Sequence, residues 1–413
     1  SLRKEFAPVK AYSARTDLAP DMEEGMADLL KDNMERILDK VEERFGPVRT
    51  ARSEDVSNLF EVEYKEAWEQ LEAGVLPIEK ADVGTEAASD YVEGGNYQEG
   101  DILLDTSWHQ GHPYNLYCPV PPPDSDCTDA HCAVGCNATA GAQVMRHWCW
   151  PPWGENGTPY LDIYEWWNMP NTLTGSSPSE QINATAELSY EVGIAAQPPS
   201  SYCANNGCGT NSHIKEMQPG YIDHFRYHAG SSVPERVDYT ASGWFNLIQQ
   251  QLNRNRPMTY GIPGHAIVCD GWQIIGNPPI IRQYHMNYGW GGGPDDTWYT
   301  LDSLPDWTVE HLLADHFPAP AVGSTVAMGT YPKNTFFYWY FDQDTTASFS
   351  TTFASGNYLQ FLNGILLKAN GYVKIESTVT QNTRLFSGGN PSTGIRLYDG
   401  DIILTSGGSL KLY

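Results

Sequence analysis

A thiol nucleophile needs a base to take its proton, a group to orient that base, and donors for the oxyanion of a tetrahedral intermediate. The sequence holds one candidate for each. The nucleophile is Cys136, in Val134-Gly135-Cys136-Asn137-Ala138-Thr139-Ala140, and the base is His265, which opens Gly264-His265-Ala266-Ile267-Val268-Cys269-Asp270-Gly271. Asn287, in Met286-Asn287-Tyr288-Gly289-Trp290-Gly291-Gly292, can accept from the imidazole and fix its tautomer, and Trp290 can cover the pair and exclude water. Gln110, in Trp108-His109-Gln110-Gly111-His112-Pro113-Tyr114-Asn115, offers an amide donor beside the backbone N–H of Cys136. Each also has an ordinary reading: a disulfide partner or core filler among 8 cysteines, one of 11 histidines, a plain Gly-rich turn.

Position decides between these readings. Ala140, Gly141, Val144, Met145 and Trp148 recur at helical spacing and Pro151 ends the run, which predicts a helix from near Cys136 with the thiol in its first turn. Free N–H groups and the positive end of the helix dipole favour a thiolate there. Ser179–Val192 and Ser242–Leu252 also read as helices, whereas His265–Asp270 and Ile280–Met286 read as strands. Helices first and strands later imply an α+β domain. At a strand's end, His265 can face a cleft while its strand stays anchored in the core.

The chain has 413 residues and a formal net charge of -26, with only 25 Lys+Arg. Nucleic acid and anionic membrane reward clustered positive charge, so neither is an expected partner. No apolar run reaches membrane-span length, and a soluble protein is expected. No signal-like run opens the sequence, so secretion is not read from the N-terminus. Apart from Cys136 and the apolar-flanked Cys269, six cysteines remain: Cys118, Cys127, Cys132, Cys149, Cys203 and Cys208. They fit three disulfides in an oxidising compartment; the competing zinc reading lacks paired His at ligand spacing. The turn-rich loop Ala204-Asn205-Asn206-Gly207 predicts a local Cys203–Cys208 bridge, leaving three pairings open for the others.

Residues 1–80 carry 31 charged residues, against 40 in the 313 from 101 onward, so the two parts are built differently. Met22 to Phe45 forms one apolar stripe on a charged helix, stopped by Gly46-Pro47, and Phe60 to Leu71 forms a shorter one. So small a segment is expected to pack its stripes on a neighbouring domain. Residues 81–100 hold five acidic and no basic residues, the composition of a linker open to proteases. After about Phe317 the sequence turns Thr/Ser/Gly/Asn-rich. There Leu359–Leu367 and Ile395–Leu404 form a weak repeat, each read as strand, Asn-Gly or Asp-Gly turn, and strand, suited to a small sandwich or a short solenoid.

The Trp-x-Gln-x-x-Pro-Tyr-Asn stretch, the Val-Gly-Cys-x-Ala-Thr-Ala helix start, the Gly-His-Ala-x-Val-x-Asp-Gly strand and the Asn-x-Gly-Trp-Gly-Gly turn stand in the order found in the streptopain, or C10, family of papain-like cysteine peptidases. The resemblance extends to Tyr164–Asn171 and to Tyr190-Glu191-Val192-Gly193, and departs where that family commonly has Trp and this chain has Tyr288. It implies nucleophile Cys136, base His265, orienting Asn287, oxyanion donor Gln110 and shielding Trp290. It implies an α+β papain-like catalytic domain at 89–320, helical part before antiparallel sheet. A small helical prosegment at 1–88, with its linker running to about 100, precedes it, and a small all-β accessory domain at 321–413 lies outside the resemblance. The expected function is a secreted or cell-surface endopeptidase of bacterial extracellular type, made as a zymogen. It would act on proteins or peptides without metal or organic cofactor and be held by its own prosegment. The alternatives are a catalytically silent papain-like binding protein and another Cys-His acyl transferase.

Overall fold

The computed structural model describes residues 3–6, 11–13, 26–59, 64–73, 91–94, 97–100, 102–148, 150–151, 153–253, 256–275, 281–291, 297–300 and 310–318, with short strands between 325 and 404. In chain order the elements are β1 (Ala11–Ser13), α1 (Met26–Phe45), α2 (Ser53–Ser57), α3 (Lys65–Glu72), β2 (Tyr91–Gly94), β3 (Tyr97–Gly100), α4 (Cys136–Trp148), α5 (Ser179–Ile194) and α6 (Ile214–Phe225). There follow α7 (Ala241–Leu252), β4 (Met258–Ile262), β5 (His265–Ile275), β6 (Ile281–Asn287), β7 (Thr297–Tyr299) and β8 (His311–Leu312). These are helices combined with an antiparallel sheet. They fall into two compact units, 1–109 with 232–314 and 110–231 with 315–413. Among the described residues no helix is long and apolar enough to cross a membrane.

The first unit is organised by the sheet β1-β7-β6-β5-β3-β2, with β4 also on β5 and β8 on β4. Thr240 caps α7 by accepting from the Gly243 N–H at 3.0 Å. Trp244, Phe245, Ile248 and Leu252, one face of that helix, pack with Tyr260, Ile267, Cys269, Trp272, Tyr284 and Met286 of β4 to β6. Burying a side chain of this size stabilises by about 1.5–3 kcal/mol, so the strands that carry His265 and Asn287 are firmly seated.

The N-terminal stripe finds a local partner. Ile37 and Val41 of α1 are buried with Val56 and Leu59, flanked by Phe6, Phe45, Val48 and Ala51. Trp68 Nε1 donates to the Phe6 carbonyl at 2.8 Å, and β1 runs antiparallel to β7. Thus α1 has a small core of its own, and the strand β1 ties the segment to the sheet. Met22, Phe60 and residues 81–90 lie outside the described residues. The second half of the stretch read as linker is strand: β2 and β3 pair with each other and β3 pairs with β5. Gly and Glu content hid two short runs, each opened by a tyrosine and separated by Gly-Asn, a hairpin-turn pair.

In the second unit α4, α5 and α6 approach closely where glycines face them. A Cβ on Gly141 would lie 1.6 Å from the Tyr221 hydroxyl of α6, and one on Gly220 2.2 Å from the Ala195 carbonyl. Helix α6 escapes sequence reading because Pro219-Gly220 sits in its middle and looks like a break.

The disulfide expectation is corrected. Cys127 pairs with Cys208 and Cys132 with Cys203, not Cys203 with Cys208, and the four are thereby not zinc ligands. The loop 203–208 is held against 126–133, with Asp126 N–H on the Asn206 carbonyl (2.7 Å) and Ala133 N–H on that of Cys208 (2.8 Å). Each cysteine therefore finds its partner across the two loops. One such bridge, closing 71 or 81 residues, is worth on the order of 4 kcal/mol in the chain-entropy model, the second less. Cys118 is a free, buried thiol rather than part of a third bridge, and burial pushes its pKa up to about 12; Cys149 lies outside the described residues. Mapping of unreduced peptides is expected to recover 127–208 and 132–203 links and a Cys118 thiol reactive only after unfolding. A linked 203–208 peptide would refute this.

His316 is buried between the ring of Tyr227, stacked at 4.2 Å, and that of Tyr221, at 4.3 Å, and neither ring nitrogen has a hydrogen-bond partner among the described residues. Burial lowers its pKa to about 3. The unfolded chain takes up this proton near pH 6.5 and the folded one only near 3, so stability falls as pH drops through that window. The slope from this group is about 1.4 kcal/mol per pH unit. His316→Phe is expected to flatten the fall in urea-unfolding free energy between pH 6 and 4; an unchanged slope would rule the assignment out.

Among the described residues, the strands of the C-terminal repeat pair with other segments rather than with each other. Leu359–Phe361 pairs in parallel with Thr335–Phe336 and Leu385–Ser387, Leu366–Leu367 with Tyr340–Phe341, and Val373–Ile375 with Ile402–Leu404. Partners roughly 25 residues apart and parallel are the pattern of a solenoid, in which each coil pairs with the next. The Asn363-Gly364 and Asp399-Gly400 pairs themselves lie outside the described residues.

Candidate active site

Cys136 is the first residue of α4 and is half-buried. Gly135 before it has φ +94, and a Cβ there would meet Thr210 Cγ2 at 3.0 Å, so only glycine fits this entry to the helix. Thr210 Oγ1 donates to the Ala133 carbonyl at 2.6 Å. Three residues of approach, from the Cys132–Cys203 bridge to the helix start, are thus held from the 203–210 side. Val134 N–H donates to the Gln110 carbonyl at 2.9 Å, which brings Gln110, itself half-buried, beside the residue two before the thiol. Within this unit the structure therefore brings the proposed nucleophile and oxyanion donor into one neighbourhood.

The other three residues lie in the first unit. Pro263-Gly264, with Gly264 at φ +77, makes the two-residue turn between β4 and β5 and leaves His265 at the corner. His265 Nε2 stands 2.9 Å from the Tyr288 carbonyl oxygen. A carbonyl only accepts, so Nε2 carries the proton and Nδ1 the lone pair. Trp290 stacks on the imidazole, centroids 4.8 Å apart and planes at 18°, and Tyr288 stacks on Trp290 at 5.3 Å. Burial lowers the His265 pKa, and the Tyr288 carbonyl partly opposes this. The ring is then a neutral base at pH 7, as proton removal from a thiol requires.

Asn287 holds the turn together. Its Nδ2 donates to the Thr106 carbonyl at 2.6 Å, and its Oδ1 accepts from the Gly289 N–H at 3.1 Å. The acceptor on His265 Nε2 is the next residue's backbone. Sequence reading missed Tyr288 in that role, since a backbone oxygen leaves no trace in residue type. It also missed Thr106, Asp270 and His285, of which the last two were signalled as polar residues inside apolar strands.

Residues 108–299 match the profile of the Peptidase C10 family. This part of the chain is similar to that family. The matched span contains all five candidate residues. Streptopain of Streptococcus pyogenes is 30% identical over 233 residues, covering 49% of this chain and 56% of streptopain. The thiol protease/hemagglutinin PrtT of Porphyromonas gingivalis is 28% identical over 227 residues, 50% of this chain and 24% of PrtT. The chain thus spans about half the length of the streptopain it matches. A solved prointerpain A fragment from Prevotella intermedia is 22% identical over 64% of this chain and 82% of that one, with a TM-score of 0.46.

Proposed function

We propose that the chain is a secreted cysteine endopeptidase made as a zymogen. Its papain-like catalytic part lies at about 89–320, between a prosegment and a C-terminal β region. The observation that carries this reading is an imidazole stacked under Trp290 with its Nε2 on the Tyr288 carbonyl, on a segment that matches the Peptidase C10 profile and whose Cys136 starts a helix. In the first step His265 Nδ1 takes the Cys136 proton and the thiolate attacks a peptide carbonyl carbon. The Gln110 amide and the Cys136 backbone N–H hold the oxyanion. As the C–N bond breaks, the imidazolium protonates the leaving amine, and a thioester remains. His265 then takes a proton from water, whose attack frees the acid and restores the thiol. Asn287 fixes the turn that presents the Tyr288 carbonyl to the imidazole. Two disulfides beside the thiol suit an oxidising compartment, hence secretion.

Incubation of the protein, under reductant, with an unfolded protein substrate tests the reading. New N-termini in the substrate and stoichiometric labelling of Cys136 by a thiol-reactive peptide analogue are expected. Labelling without new N-termini would point to another acyl transfer, and neither to a silent scaffold.

A further inference from the structure

Strand β5 carries a bulge five residues after His265. Cys269 faces Met286 and Gly271 faces His285, so Asp270 is the extra residue between them. A bulge re-aims a side chain, and here the carboxylate meets two donors. Its Oδ1 accepts from His285 Nδ1–H at 2.6 Å and its Oδ2 from the Leu104 backbone N–H at 3.3 Å. The Asp270 carbonyl also accepts from the Leu103 N–H at 2.9 Å. With 1% and 3% exposure, Asp270 and His285 are cut off from water, and Trp298 packs edge-on against the imidazole at 5.3 Å.

Removing a carboxylate from water costs several kcal/mol, and an apolar pair of the same volume would often do as well for stability. What an apolar pair could not do is grip a particular backbone N–H. Residues 103–104 are pinned by Asp270, Thr106 by Asn287, and His109 by its bridge to Trp290. The residue that follows is Gln110.

We propose that Asp270 and His285 are a positioning pair for the reaction: they hold segment 103–109, the stretch of chain that leads directly into the Gln110 donor, on the strands that bear His265 and Asn287. This rests on the peptidase reading above. Neither residue touches substrate. Their effect falls on steps that build an oxyanion, and displacement of a donor by about 1 Å costs up to about a hundredfold in rate.

The test uses the full chain activated with reductant. It compares kcat and KM for a peptide substrate with the rate of Cys136 alkylation by iodoacetamide, a displacement at saturated carbon that builds no oxyanion. Counting kcat per mole of folded protein, measured by near-ultraviolet circular dichroism, removes any unfolded fraction. Asp270→Asn and His285→Phe are expected to lower kcat about tenfold to a hundredfold, with KM within about twofold and alkylation at the wild-type rate. His285→Asn, which keeps an N–H donor for the carboxylate, is expected to recover most of the loss. Wild-type kcat in Asp270→Asn and His285→Phe, or an equal fall in hydrolysis and alkylation rates, would overturn the positioning role alone. A wild-type protein without Cys136-dependent hydrolysis would overturn the peptidase reading and the pair's role with it.

Discussion

Replacement of Cys136 by alanine is expected to abolish peptide hydrolysis, by at least about a thousandfold in kcat, with the thermal unfolding midpoint unchanged within a few degrees. His265→Ala should do the same, because nucleophile and base act as a unit and removal of either destroys the step both perform. The thiol is half-buried at a helix start and the imidazole sits at a strand corner, so neither replacement opens a large cavity. Asn287→Ala should be milder in the chemical step, about tenfold to a hundredfold, since the acceptor that fixes the His265 tautomer is the Tyr288 backbone. Its cost should appear in stability as well, because the Thr106 and Gly289 hydrogen bonds are lost together. Substantial hydrolysis by Cys136→Ala would sink the assignment of the nucleophile. An Asn287→Ala loss as deep as that of His265→Ala would mean that Asn287 meets the imidazole directly during turnover.

Residue types and order sufficed for the elements whose periodicity is clean. The helix over Cys136–Trp148 has its apolar positions at helical spacing and a proline just beyond it, and α5 and α7 lie within two residues of where the spacing puts them. What the sequence concealed has three physical sources. A tight helix contact at Ala195 demanded Gly220 inside α6, and next to Pro219 that glycine reads as a stop. The disulfides join loops 71 and 81 residues apart, and nothing local distinguishes a cysteine that closes its own loop from one that reaches a neighbour's. The atoms that orient His265 and grip Leu103 and Leu104 belong partly to the backbone, and the bulge that aims Asp270 is a property of strand register rather than of composition. The candidate chemistry was therefore legible as four short motifs. Its supports were not.

Cutting the chain N-terminal to Tyr91 is expected to raise hydrolytic activity at least about tenfold as residues 1–80 leave. Residues 3–59 carry a core of their own around Ile37, Val41, Val56 and Leu59, so this segment can hold its shape as a latch. It is also joined to the sheet, since β1 pairs with β7, which pairs with the Asn287 strand β6, which pairs with the His265 strand β5. Three residues of edge pairing are a weak hold. Without covalent attachment, such a latch should dissociate at low concentration. The hairpin β2–β3 pairs with β5 and protects residues 91–100, so reductant-triggered self-cleavage or an added protease should cut within 81–90 rather than across the hairpin. Mass analysis of the matured protein and a progress curve of peptide hydrolysis check both points together. Isolated residues 1–80 added in excess should suppress activity in proportion to their concentration, because mass action refills the docked state. Full activity in the uncut chain, with no inhibition by the isolated segment, would instead assign the N-terminal residues to assisting the fold of the sheet whose edge β1 completes.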